Sequence, residues 1–278
     1  MFCENGVTTV AVFSHPNHEI AIFGLLQRLK PHLVYLTDGG GEARVEQTRQ
    51  GLKSIDLLDH AHFLNYTESS LYEALLARDL AFYEKVASQL RALFQVIRPL
   101  QILCDAIEFY NPLHDMPLPI VRAALRESAS AEIFEVPLVS QKPTEAEAYE
   151  LQRMPASRRG EQIEFQLSQQ ELAAKVRARD QIYTILLDPT EPRPSTLAPR
   201  FDQHPYAVLG SLILKLPLTH IALEVIAPAC SFLPKPGSEN VLRYERRAQT
   251  LLERRKIERK ITYAQHYQPI ATSLLMNN

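Results

Sequence analysis

Thr8-Thr9-Val10-Ala11-Val12-Phe13-Ser14-His15-Pro16-Asn17-His18-Glu19 is the stretch on which the reading of the fold turns. Its first half is β-branched or apolar with no polar alternation, so the sequence predicts a strand over residues 8–14 that is buried on both faces. Such strands belong to parallel sheets covered by helices on either side. The polar run that follows stands where a ligand would meet such a sheet, beyond the carboxyl end of the strand.

The chain repeats this theme as far as about residue 140. Residues 20–29 read as a helix, 32–36 as a second strand, 43–57 as a helix and 60–66 as a third strand. A long helical pattern over 70–97, broken once, leads to a fourth strand at 101–106, a short helix at 119–128 and a fifth strand at 131–139. The alternation predicts an α/β fold with a mostly parallel sheet and helices on both faces.

Beyond it the pattern weakens. Residues 143–180 are polar and helix-prone and read as one or two surface helices. Residues 188–205 hold five prolines (Pro189, Pro192, Pro194, Pro199, Pro205) and read as a loop or linker. The apolar stretch 206–233 is interrupted by Lys215, Pro217, His220 and Glu224. A membrane-spanning helix needs about 20 nearly uninterrupted apolar residues, so buried strands or helix are expected instead. A loop at 234–240 and a charged, solvated helix over 241–261 follow. We expect one domain: an α/β core with the site loops in 1–140, a variable insertion or linker in 141–205, and a C-terminal elaboration completing the fold in 206–278.

Lys and Arg number 30 against 32 Asp and Glu, a formal net charge of −2, which gives no pull toward nucleic acid. Cys3, Cys104 and Cys230 include no Cys-x-x-Cys pair, which excludes a disulfide framework and a thiolate zinc site. Reduced thiols, together with the lack of a basic-then-apolar leader, make a cytoplasmic protein with no membrane partner the expectation. No G-x-G-x-x-G, P-loop or G-x-S-x-G pattern occurs, which argues against dinucleotide, P-loop and serine-hydrolase readings. The oligomeric state is left open, a homo-oligomer included.

Four predicted strand ends collect polar residues. They are Ser14 to Glu19; Thr37-Asp38-Gly39-Gly40-Gly41 with Glu42 and Arg44; Asn65 to Glu68; and Asp105, Glu108, Asn111, His114 and Asp115. In one parallel sheet all four meet on one rim. His15 and His18, three apart in a turn, can face one ion, with His114 as a third ligand from a neighbouring strand. Three imidazoles with an open fourth position suit catalytic Zn2+, and also other divalent transition metals. Cys104 reads as core, and His32, His60 and His62, which flank strands, read as structural.

These segments resemble the PIG-L/LmbE-like family of zinc-dependent N-acetylglucosaminyl deacetylases. The family's [AP]-H-P-D-D-E segment corresponds to Ser14-His15-Pro16-Asn17-His18-Glu19, and its T-D-G segment with a downstream Arg to Thr37-Asp38-Gly39 and Arg44. Its E-x-x-H-P-D-H-D corresponds to Glu108-Phe109-Tyr110-Asn111-Pro112-Leu113-His114-Asp115. A Y-E element and an I-x-Y-x-x-H-x-x-P-I-x-x-x-L run match Tyr244-Glu245 and Ile261, Tyr263, His266, Pro269, Ile270 and Leu274. The likeness covers most of 8–125 and again 241–275.

The resemblance implies a Rossmann-like fold, zinc on His15, His18 and His114, and hydrolysis of the linear amide of an N-acylated sugar or similar small molecule. It implies substrate contacts from Arg44, Glu68, Glu108 and His266, and catalytic positions at Asn17, Asn111 and Asp115. The departures are as informative. The zinc-binding Asp is His18, the general base is Asn17, the histidine that holds the oxyanion and protonates the leaving amine is Asn111, and the Asp that polarises it is Leu113. General acid–base groups contribute about 10²–10⁴-fold each. A neutral ligand in place of Asp leaves more positive charge at the ion and makes a bound water more acidic. Glu19, Glu108, Asp115 and His266 are the remaining proton carriers to consider. The expectation is a divergent N-deacetylase; the alternative is a catalytically degenerate member that binds metal or ligand without deacetylating.

Overall fold

Val10 and Val12 pack on one side of the first strand and Ala11 and Phe13 on the other, all with no exposed surface. The unbroken apolar run thus has two cores to fill. The chain is described by a computed structural model over residues 2–3, 6–126, 131–141, 149–183, 218–230, 233, 242–254 and 257–276. The strands β1 (Thr9–Phe13), β2 (His32–Thr37), β3 (Ala61–Tyr66), β4 (Gln101–Asp105) and β5 (Glu132–Val136) are all parallel, side by side in the order β3-β2-β1-β4-β5. The order reverses between β1 and β4, which makes their carboxyl ends the topological switch point.

On one face lie α3 (Glu68–Ala77), α4 (Leu80–Ile97), α5 (Pro117–Leu125) and the last described helix, which spans Gln268–Met276. On the other lie α1 (Phe23–Leu29) and α2 (Glu42–Lys53). The predicted break in the long helical pattern falls at Arg78, whose φ of 55° is left-handed, and at Asp79, whose side chain accepts the Phe82 N–H at 3.0 Å. The α/β fold, mostly parallel sheet and two-sided helical cover are as the sequence predicts.

The region 143–180 differs from its reading as surface helices. Its described part contains strand β7 (Tyr149–Leu151), paired with β6 (Val139–Gln141), and strand β8 (Ile163–Gln166). A 3-10 turn (Ala156–Glu161) lies between β7 and β8, and helix α6 (Gln169–Arg177) follows β8. β8 is the edge of the main sheet, antiparallel to β9 (Leu223–Pro228), which in turn runs antiparallel to β5. The polar composition of β8 suits an edge strand as well as it suits a helix. β9 lies within the apolar stretch read as buried, and a short helix α7 (Leu218–Ile221) leads into it. The proline-rich 188–205 and the loop 234–240 lie outside the described residues. The charged helix is α8 (Arg243–Glu253), shorter than predicted, and the Gln268–Met276 helix is α9.

One contact ties the late strands to the start of the chain. Glu224 on β9, fully buried, accepts the Gly24 and Leu25 N–H groups at 2.8 and 2.6 Å and the Lys175 ammonium at 2.8 Å. It caps α1, whose own N-cap residue, Ile22, has no side chain to do so. The helix that follows the polar run after β1 is thereby fixed.

Candidate metal centre

His15 and His18 leave the carboxyl end of β1, and His114 lies in the loop between β4 and α5. Each offers one ring nitrogen to a group in which these atoms all lie within 4.8 Å of one another. The ring centroids are 5.1, 5.1 and 4.5 Å apart, with planes 68–85° from one another, so the rings converge edge-on rather than stack. All three are buried.

Hydrogen bonding fixes which nitrogens are left over. The Thr37 hydroxyl donates its one proton to the Ser14 carbonyl at 2.9 Å, so at 2.7 Å from His15 Nδ1 it accepts. His15 therefore carries its proton on Nδ1 and keeps a lone pair on Nε2. Asp105, at the end of β4, accepts from His18 Nδ1 at 2.9 Å and from the Ser14 N–H at 2.7 Å through the same oxygen, which leaves the lone pair of His18 on Nε2. His15 Nε2, His18 Nε2 and His114 Nδ1 are buried with no hydrogen-bond partner. Burial is the first cause holding all three histidines well below their ordinary titration, and the nearby Arg44 cation adds to it. They are neutral, as metal ligands must be. Three partnerless buried ring nitrogens, two of them oriented by outer hydrogen bonds on the same ring, fit a divalent transition metal.

The other predicted residues sort into two sets. Glu68, in the first turn of α3, brings Oε1 to 3.4 Å from His15 Nε2. Arg44 on α2 is buried and donates to the Gly39 carbonyl at 3.1 Å. Asn17 has a left-handed φ of 77°, and its amide is held by α2, with Nδ2 donating to Gln47 at 3.2 Å and Oδ1 accepting from Thr48 at 2.8 Å. Asn111 Oδ1 accepts the Leu113 N–H at 2.9 Å and the Tyr72 hydroxyl at 3.0 Å. The backbone donor identifies that atom as the oxygen, so Nδ2 is the end left to donate.

Glu108 and Asp115 instead hold backbone. The Glu108 carboxylate accepts from the Leu138 N–H at 2.7 Å and the Val139 N–H at 2.9 Å. Asp115 accepts from Glu108 N–H at 2.8 Å and Phe109 N–H at 3.2 Å, where Phe109 is left-handed at φ 55°. Burial pushes the Asp115 carboxyl up to about 8. Glu135 likewise takes the Ile107 and Cys230 N–H groups, each at 3.0 Å, and the Arg158 guanidinium at 2.6 Å. His266 accepts the Thr262 N–H at 3.0 Å and makes no hydrogen bond to the three histidines. Sequence reasoning gave no role to Asp105, Thr48, Gln47 or Tyr72. Only Asp105 carried a signal, as a carboxylate ending a buried strand.

No family model matches the sequence, and no curated protein does. Solved structures do match. An A40926 pseudoaglycone deacetylase superposes with a TM-score of 0.50 at 12% identity, over 82% of this chain and 99% of its own. A teicoplanin deacetylase in its zinc-inhibited form gives a TM-score of 0.49 at 10% identity, over 81% of this chain and 100% of its own. A conserved protein from Thermus thermophilus gives 0.44 at 15% identity, over 84% of this chain and 100% of its own. The first likeness shows a shared fold. The chain is a Rossmann-like α/β protein built like the A40926 pseudoaglycone deacetylase, with three buried histidines at its switch point.

Proposed function

We propose that the chain is a metal-dependent hydrolase that removes an N-acyl group, acetyl first, from a sugar or sugar-like small molecule in the cytoplasm. The observation that carries this is the trio of buried, partnerless ring nitrogens on His15, His18 and His114, two of them set by Thr37 and Asp105. The shared fold with a deacetylase supports the reaction class. Zinc, or another divalent transition ion held there, would polarise the acyl carbonyl and acidify a water.

The chain's own groups do the rest. Asn111, its oxygen tied to Leu113 and Tyr72, aims Nδ2 as a preset donor at the developing oxyanion. Glu68, nearest His15 Nε2, takes the proton of the attacking water in place of Asn17 and returns it to the amine nitrogen as the C–N bond breaks. Arg44 contacts substrate oxygens. Glu108 and Asp115 position the loop that carries Asn111 and His114, and do so without touching substrate.

A second reading has its own observation: the Asn17 amide is bound by Gln47 and Thr48 and is no base, so the pocket binds metal or ligand without turnover. One experiment separates the two. Protein purified without chelator or histidine tag is assayed for metal and for acetate release from a panel of N-acetylated sugars, beside His18→Ala. About one ion per chain more than in His18→Ala, with acetate release lost in that variant, supports the hydrolase. Metal without acetate release supports the binder, and protein with no affinity for metal sinks both.

A further inference from the structure

A second histidine trio stands at the other end of the sheet. His32 is the first residue of β2. His60 closes the turn Leu58–His60, and His62 is the second residue of β3. His60 and His62 flank Ala61, where the chain passes from the turn into β3. The register pairs Leu33 with Ala61 and Val34 with His62, which sets His32 level with His60 on the neighbouring strand. These are amino ends of strands, whereas His15, His18 and His114 gather at the carboxyl ends.

The His32 ring stacks against both of the others, with centroids 5.2 Å from His60 and 5.8 Å from His62 and interplanar angles of 20° and 27°. His32 Nδ1, His60 Nδ1 and His62 Nε2 are buried atoms without a hydrogen-bond partner. Three orphaned imidazole nitrogens at one place on a half-buried surface need an explanation, since buried polar groups are ordinarily satisfied. Burial and mutual repulsion keep His32 and His62 from protonating readily, so they offer lone pairs at neutral pH.

We propose that His32, His60 and His62 form a second site, for a divalent transition cation. Neutral imidazole suits Ni2+, Cu2+ and Zn2+. With the rings stacked, these nitrogens do not all come within 4.8 Å of one another as those of the first trio do. Histidine χ2 is broad and roughly two-fold, so the rings can turn onto a shared ion. The ion would join β2 to β3, the edge strand opposite β8, and stiffen that edge.

The test is calorimetric titration of tag-free protein with Ni2+ alone. His18→Ala removes the first site and leaves the second to be read. The inference expects that protein to bind one Ni2+ per chain and to melt higher with Ni2+ than without. It expects both effects to vanish in His18→Ala/His62→Asn and in His18→Ala/His32→Asn, whose metal-free melting confirms that they fold. A His18→Ala protein that binds no Ni2+, or double variants that bind it as the single variant does, overturns the second site and leaves the first untouched. Loss of binding in His62→Asn with none lost in His18→Ala keeps the second site and removes the first.

Discussion

At the scale of single residues, the centre rests on proton counting. The Thr37 hydroxyl has one proton, given to Ser14, and so it dictates where the proton of His15 sits. Thr37→Val keeps the shape and removes that instruction. Outer partners of metal-bound histidines are worth about 10–100-fold in affinity, and the variant is expected to lose that much Zn2+ affinity in a competition titration with a chelating dye. Asn111→Ala is expected to leave metal content unchanged and lower acetate release by about 10²–10³-fold, the usual effect of deleting an oxyanion donor. His15 and His18 were legible because spacing after a buried strand limits where they can point. Asp105 was not, because no local pattern tells that a residue 87 positions away from His18 ends beside its ring.

At the scale of elements, β1 and β4 were legible from residues 8–14 and 101–106, since burial on both faces leaves a mostly apolar run. β8 and β9 were not: their order in the sheet is set by contacts such as that of Glu224 with Gly24, which lies 200 residues earlier. Breaking a buried ion pair costs about 3–5 kcal/mol, so Glu224→Ala should lower unfolding free energy by roughly that in a urea titration. Replacing Lys175 as well, by Met, should recover part of it, because no buried charge is then left alone. A second link joins α1 and α6, where Arg28 holds the Glu171 carboxyl down to about 2 from its ordinary 4.5. The folded pKa lies below the unfolded one, so this stabilisation is complete above 4.5 and fades as pH falls toward 2. The gap in urea midpoint between wild type and Glu171→Gln should therefore narrow as pH is lowered from 6 to 3, and a gap that does not change with pH would count against the pairing.

At the scale of the molecule, buried carboxylates hold the loops around the centre by their backbone. Glu108 takes Leu138 and Val139, Asp115 takes Glu108 and Phe109, Glu135 takes Ile107 and Cys230, and Asp105 takes Ser14. The family likeness implied a substrate contact at Glu108 and a catalytic position at Asp115; their hydrogen bonds to backbone amides were not legible, because those partners are set by loop conformation and not by residue type. These amides have a consequence for solvent exchange. Loop N–H groups ordinarily trade their hydrogens for deuterium within seconds to minutes, while those of ladders hold them far longer. In this protein the loop amides of Ser14, Ile107, Glu108, Phe109 and Leu138 are expected to exchange as slowly as the strands they adjoin. Deuterium-uptake maps should show the rim of the centre as protected as the sheet beneath it, before any ligand arrives.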